Sequence, residues 1–314
     1  MDDIREQWLL LISTPIYVVL ISLELLLTHL AHRKTYTFKD SILNVYLMLL
    51  NGGIDLAFRI VSVLVLQYFY LHKIIQVQQA FLYWLLLLLG EDFLYYWLHR
   101  FDHEIRFFWA AHITHHSSQQ FNFSIGFRSS VFQPLYRFIY FIPLACCGFK
   151  PIDIAFIYSI TQIWGIFVHT ELIHKMGWLE YIFVTPSHHR VHHGSNPQYL
   201  DKNMGMFLII WDKLFGSFQA ELTTEAYQPI QYGLTKNIEN PNMINIVFHE
   251  WKQILKDLLQ KNISIKQRFL YLFGPPGYSH DGSRSTSKEM RAMEARKKSN
   301  SVSLPFGSCR WTNR

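Results

Sequence analysis

The sequence predicts an all-α integral membrane protein, with about five membrane-spanning or re-entrant helices and a histidine-rich helical site on their cytosolic face. Three observations carry that prediction. Half of the 314 residues are hydrophobic and only 17% are charged, a balance too apolar for a soluble domain of this size. The apolar residues gather in runs long enough to cross a bilayer. Eleven of the sixteen histidines fall between His99 and His193, in groups whose spacing follows the helical turn.

The first expected span covers residues 8–31, interrupted only by Pro15 and Glu24. No short apolar region with a cleavage site stands there, so it reads as a retained anchor. The second covers residues 41–71 and carries Asp55 and Arg59, which predicts a kinked or tilted helix with its charges turned inward. The third covers residues 80–98. Residues 131–149 and 152–168 form a hairpin about Lys150-Pro151, and the first of that pair is broken by Pro134, Arg137 and Pro143, so it can dip into the membrane rather than cross it. This divides the chain into N-terminal anchor helices over residues 1–79, a histidine-bearing catalytic domain over 80–220, a C-terminal helical segment over 221–277 and a disordered basic tail over 278–314. Arg284, Lys288, Arg291, Arg296, Lys297 and Lys298 make that tail either a solvated segment or a contact for anionic lipid. Cys146, Cys147 and Cys309 give no disulfide framework. Nothing repeats along the chain, and no nucleic-acid partner is expected.

Charge orients the spans. Arg33, Lys34 and Lys39 fill the first loop, whereas the second short loop offers only Lys73, so the first loop is expected to be cytosolic. Alternation then brings His99 to Arg128, His169 and His188 to His193 to that same side. The histidines were not used in this argument, and it converges them.

On the helix leaving the third span, Asp92, Tyr96, His99 and His103 share one stripe. Asp92 is expected to accept a hydrogen bond from a ligand histidine, the alternative being a helix charge satisfied by a neighbouring span. His112, His115 and His116 repeat the spacing, as do His189, His192 and His193, and His169 closes the last span. These nine are the candidate ligands. His174 points away from His169 on an ideal helix, and His188 stands between a hydrogen-bonding and a ligating role. His29, His32, His72, His249 and His280 are isolated and read as interfacial or loop residues. Zinc, copper, nickel and iron all accept imidazole. Nine histidines exceed the needs of one closed structural zinc site, whereas two ions with open positions suit oxygen activation by a redox metal such as iron. The apolar body suggests a substrate with a long hydrocarbon chain.

The stretches Asp92-Phe-Leu-Tyr-Tyr-Trp-Leu-His99-Arg, Phe108-Trp-Ala-Ala-His112-x2-His-His-Ser-Ser118, His169-Thr-Glu171 and Thr185-Pro-Ser-His-His-Arg-Val-His-His-Gly194 resemble the fatty acid hydroxylase and sterol desaturase superfamily of membrane non-haem diiron enzymes. Asp201-Lys-Asn203 and Ile210-Trp-Asp-Lys-Leu-Phe-Gly216 extend the likeness, which is greatest to the branch acting on alkylglycerols and runs from about residue 90 to 218. The resemblance implies a diiron monooxygenase in the endoplasmic reticulum that hydroxylates the ether-bearing carbon of a membrane alkylglycerol with dioxygen. The product falls apart into a fatty aldehyde and a glycerol derivative. Tetrahydrobiopterin is the implied reductant, and the nine histidines would hold the irons. It also takes in Asn203 and Arg128 as matched residues; Arg128 reads as a lipid or pterin contact or else the partner of a carboxylate or headgroup, and Trp211 as part of an interfacial segment over the site or a membrane anchor.

Two departures stand out. Gln119 and Gln120 occupy a place where the family usually has an acidic residue, and the relatives continue into further membrane segments, so the sequence reads as a short form, an atypical gene model or a specialised branch. Two other readings remain: a sterol or fatty-acyl hydroxylase or desaturase fed by a b-type cytochrome, which would be a protein electron donor, and a catalytically silent membrane protein with a structural metal site.

Overall fold

A computed structural model describes residues 2–33, 35–239 and 241–302. Three of its helices are long and apolar enough to cross a membrane: α1 (Asp2–Leu30, with the apolar stretch Leu11–Leu30), α2 (Phe38–Leu71) and α3 (Ala80–Glu104). Pro15 sits inside α1 without ending it. The Thr37 hydroxyl caps α2 by accepting from Asp40 N at 3.3 Å. At 1.5 Å per residue the 34 residues of α2 run about 51 Å, more than the roughly 30 Å of a hydrocarbon core. Only 6% of its apolar stretch is buried, so most of its leucines and valines face outward, as lipid-exposed side chains do, while Leu43, Leu47 and Leu66 turn inward. Of the two charges in the middle of α2, Asp55 pairs with Arg137 and with Arg59, the other. Arg59 is 56% exposed, so only the carboxylate turns inward; Arg137 supplies its inner partner and leaves Arg59 on the outside.

α3 ends at Ile105, whose extended backbone lets α4 (Arg106–His116) fold back against it. Residues 131–149 do not form a spanning helix. They break into a 3-10 turn (Gln133–Leu135) and the short helices α5 (Arg137–Tyr140) and α6 (Ile142–Cys146), with Pro134 and Pro143 in the opening turns where a missing N–H costs nothing. α7 (Pro151–Phe167) then rises about 26 Å, short of a full crossing when upright. The described residues are therefore all-α, as the composition predicted, with three helices long and apolar enough to span and a shorter apolar helix in place of the five expected spanning or re-entrant segments. Among the described residues the only strand-like contacts are two isolated bridges.

Leu66, Leu87, Tyr95, Leu98, Phe141, Leu144, Ile154, Ile157 and Met206 form the main core between α2, α3, α6 and α7. Beyond α7 come α8 (Pro186–His192), α9 (Ile210–Leu214), the amphipathic α10 (Met243–Leu258) and α11 (Ile265–Phe273). The last two pack on α4 through Arg106, a buried guanidinium held by Glu250 and Asp257 at 2.7 Å each and by the Tyr271 carbonyl at 3.2 Å.

The basic tail differs from its expected disorder. Residues Ser287–Val302 form a helix, α12, entered through Thr286, whose hydroxyl and N–H both donate to Glu289. Its anchors are long-range: Arg284 meets Asp257 at 2.8 Å, and Arg291 donates to the Leu200 carbonyl at 2.6 Å. Charge composition alone pointed to a solvated coil, but these carboxylate and carbonyl partners lie far away in sequence. The remainder of that expectation, on residues 303–314 with Cys309, lies outside the described residues.

Candidate metal centre

The break at Ile105 sets α3 and α4 side by side, so that His99 and His103 on one helix face His112 and His116 on the other. α8 adds His192 from the opposite side. Thr185 and Pro186 start that helix, and the Thr185 N–H donates to His188 Nδ1 at 3.4 Å. In a seven-residue helix opened this way, His189 and His192 point to one side and His188 to the other.

All nine candidate ligands come together, in two adjacent groups. His99, His103, His112, His116 and His192 form one; His115, His169, His189 and His193 form the other. Within each group one ring nitrogen per residue lies within 4.8 Å of all the rest. The groups touch where the rings of His116 and His193 stack at 4.3 Å. Eight of the nine side chains are buried and His115 is partly so.

The hydrogen bonds at the far side of each ring decide which nitrogen is a proton donor. A carbonyl only accepts, so Nδ1 carries the hydrogen in His99 (to Met204 O, 2.8 Å), His115 (to Arg128 O, 2.8 Å), His169 (to Gly165 O, 2.6 Å) and His192 (to Lys202 O, 3.0 Å). Nε2 of each is then a bare lone pair aimed inward. His99 Nε2 lies 3.1 Å from His112 Nε2, and His169 Nε2 lies 2.9 Å from His189 Nε2. His103 Nε2 and His192 Nε2 are buried with no hydrogen-bond partner among the described residues. Converging buried lone pairs repel one another and go unsatisfied unless a cation sits among them, so the donor set fits metal ions.

Burial keeps these rings neutral. The pKa of His115 is pushed down to about 4, by burial above all. Those of His112, His116, His169, His189, His192 and His193 lie well below the usual value, first through burial and then through the neighbouring histidines. Neutral imidazole is the form that ligates.

The other predicted residues take structural roles. Asp92 makes no hydrogen bond to a histidine among the described residues. Its carboxylate accepts from Phe207 N (3.0 Å), Leu208 N (3.1 Å) and Trp211 Nε1 (2.9 Å), which ties α3 to the loop before α9 and commits Trp211 to the same knot. Of the two readings of Asp92, satisfaction by a neighbouring segment is the one observed. Arg128 is buried and donates to Asp40 (2.9 Å), Asn44 (2.7 Å), Thr114 O (2.9 Å) and Ser117 Oγ (3.0 Å). It is a carboxylate partner, and all its charge is used inside the protein. The buried Asn203 side chain clamps the His188 and Gln219 carbonyls at 3.0 and 2.8 Å. His174 is exposed, outside both groups, and offers its carbonyl to Arg190. His188 is buried but bonds locally and packs on Phe218. Gln119 is exposed and lies outside both histidine groups. His72, His249 and His280 also stand apart, on Tyr68 O, Ile246 O and the Tyr271 hydroxyl.

Several residues around the centre escaped the sequence reading. Ser130 Oγ lies 2.6 Å from His112 Nδ1, with Asp102 at 3.7 Å behind it. Gln133 and Tyr136 each donate to Asp102 at 2.7 Å. Glu24, seen only as an interruption of α1, is buried and accepts from Phe123 N at 2.8 Å and from the hydroxyls of Tyr36 and Thr170, next to His169. A carboxylate in an otherwise apolar span was the available signal for it. Phe121 stacks on Tyr232 at 4.9 Å and covers His193 and His169.

Two openings reach the centre. A narrow crevice of about 80 Å³ meets both histidine groups between α3 and α7, lined by Tyr95, Tyr158, Gln162 and Met206. A cleft of about 820 Å³ meets His103, His116, His192 and His193 from the other side, under the C-terminal helices, with Lys236, Asn237 and Glu239 on its wall.

Residues 84–217 match the family model of the fatty acid hydroxylases. The chain is 43% identical to human alkylglycerol monooxygenase over 141 residues, 45% of this chain and 30% of the human protein. It is 43% identical to the zebrafish (Danio rerio) alkylglycerol monooxygenase over 129 residues, 41% of this chain and 28% of that protein. With the Caenorhabditis elegans alkylglycerol monooxygenase it shares 41% identity over 145 residues, 46% of this chain and 28% of that protein. The matched stretch thus spans less than a third of the length of these curated relatives. No solved structure matches the chain.

Proposed function

We propose, from the premise that residues 84–217 are a fatty acid hydroxylase domain, that this integral membrane protein is a lipid monooxygenase whose two histidine groups hold a pair of irons. The carrying observation is the set of nine convergent imidazoles, because its neutral, inward lone pairs suit ferrous iron and outnumber what one ion can use. Bound iron would supply dioxygen activation at that position. The relatives named for alkylglycerol direct the substrate reading to an ether lipid.

In that reaction R–CH2–O–R′ takes one oxygen atom of O2, and the second leaves as water after two electrons and two protons are added. The hydroxylated carbon is a hemiacetal, which breaks its C–O bond to the ether oxygen to give a fatty aldehyde and a glycerol alcohol. Tetrahydrobiopterin is the proposed electron source, and the endoplasmic reticulum, with the centre facing the cytosol, the proposed location. Tyr95, Tyr158 and Met206 in the narrow crevice would align the alkyl chain beside both histidine groups, and Phe121 with Tyr232 would keep bulk water from the four-histidine side.

Detergent-purified protein should hold two irons per chain and release fatty aldehyde from an alkylglycerol when given tetrahydrobiopterin and oxygen. Aldehyde release with a b-type cytochrome and its reductase, and none with the pterin, would transfer the electron-donor assignment to that route. Iron-loaded protein that consumes no oxygen with any lipid would defeat the enzyme reading.

A further inference from the structure

We infer that Asp201, held in place by Arg291 of α12, is a positioning residue for His103, so that the C-terminal helix is a working part of the five-histidine position. The inference rests on the metal reading above and adds to it a specific, asymmetric support. Most rings in the two groups whose outer nitrogen has a partner are backed at hydrogen-bond distance by neutral groups: main-chain carbonyls for His99, His115, His169 and His192, and the Ser130 hydroxyl for His112, whose Nδ1 also lies 3.7 Å from Asp102. His103 differs in having no neutral partner on its outer nitrogen among the described contacts. Its Nδ1 faces Asp201 Oδ1 at 3.7 Å, and its Nε2 is buried, unpartnered and part of the five-histidine group.

Asp201 has been built into that place. Its backbone is left-handed, at φ 51°, as is that of Asn203 at φ 54° two residues on, a conformation that costs energy in any residue with a side chain. What holds the turn is the last helix: Arg291 donates to Leu200 O at 2.6 Å and its Nη1 lies 3.6 Å from Asp201 Oδ2. One carboxylate oxygen therefore faces the histidine and the other faces the helix. A carboxylate behind an imidazole fixes the ring's orientation and makes its inner nitrogen a better donor, and such partners change metal affinity by roughly 10–100-fold. Because the four-histidine group has no carboxylate on any of its outer nitrogens among the described contacts, the effect is confined to one of the two positions.

The test uses full-length protein in detergent, loaded with ferrous iron and read by iron titration and Mössbauer spectroscopy. Asp201→Asn keeps a residue that tolerates the left-handed backbone and removes the charge. It should weaken one of the two irons by about 10–100-fold and change the quadrupole doublet of that iron alone, the other remaining as in wild type. Arg291→Ala should weaken the same iron to a smaller degree, and Arg291→Lys should restore part of the loss. Should Asp201→Asn fail to fold, Arg291→Ala carries the test by itself. Variants whose iron affinities and spectra equal those of wild type overturn the inference and leave the metal centre standing, whereas wild-type protein that takes up no iron overturns both.

Discussion

The Nε2 atoms of His99 and His112 lie 3.1 Å apart, although the residues stand on different helices. The cause is local: Ile105 is extended, α4 turns back on α3, and each ring is pinned from behind by Met204 O or Ser130 Oγ. Histidine spacing along the helices put the rings on the right faces, and the single turn made those faces meet.

Ligand removal should be selective. His99→Ala should cost the iron of the five-histidine group and His169→Ala that of the four-histidine group, each lowering aldehyde formation by more than about 100-fold. Iron analysis of the two variants, with their Mössbauer spectra, separates the positions. A variant that retains both irons would remove that histidine from the ligand set.

Acid should destabilise the metal-free protein. The seven site histidines outside the spans have folded pKa values below their ordinary 6.5, His115 at about 4. Well above pH 6.5 both folded and unfolded rings are neutral and pH has no effect through them. Below it the unfolded chain takes up protons that the folded site refuses, so stability falls, by roughly 3 kcal/mol for His115 alone between pH 6.5 and 4. Melting temperatures of iron-free protein across that range check the sign; a melting point that rises on acidification contradicts it.

Asp92→Ala should destabilise without emptying the centre directly. It strips the acceptor from three donors, two of them main-chain, and each orphaned buried group costs about 1–3 kcal/mol. Chemical denaturation should show a loss of several kcal/mol, and the fraction that remains folded should still bind two irons. Loss of one iron from well-folded Asp92→Ala protein would instead restore the role in ligand orientation that sequence spacing suggested.

Gly165→Ala should perturb His169 through packing. A Cβ at Gly165 would come within 2.4 Å of Met206 Sδ, and the Gly165 carbonyl is the acceptor for His169 Nδ1. Overpacking of this kind costs about 1–3 kcal/mol, and any shift of α7 moves the ring with it. The variant should lose affinity at the four-histidine position in iron titration, and Met206→Ala in the same chain should return part of it.

Arg128→Lys should not behave as a conservative change. The guanidinium makes bonds to four residues from a buried fork, which an ammonium cannot reproduce. A loss of about 3–5 kcal/mol in denaturation, with the Michaelis constant for lipid unchanged in the surviving protein, is the expected result. A raised Michaelis constant with stability intact would make Arg128 a substrate contact after all.

The reach of the sequence varied with the kind of residue. Apolar length was legible in α1, α2 and α3 because a span depends on its own composition. The nine histidines were legible because residues three and four apart share a helix face whatever surrounds them. Asp92 and Trp211 were not: the sequence could place Asp92 on the histidine stripe, yet its partners, Phe207 N and Leu208 N, come from a loop more than a hundred positions away. Arg128 likewise carried no mark of its long-range partners Asp40 and Asn44.

By itself, then, the sequence determined the all-α membrane character, the histidine set and the weakness of residues 131–149 as a span, since each follows from local composition and helical period. Only the tertiary structure decided how nine imidazoles divide into groups of five and four, that Asp92 and Arg128 hold the scaffold, and that the basic tail folds back as α12 to reach Asp201. Those outcomes depend on which distant donors and acceptors meet inside a crowded interior, where an unmatched polar group is costly, and no window of sequence contains both partners.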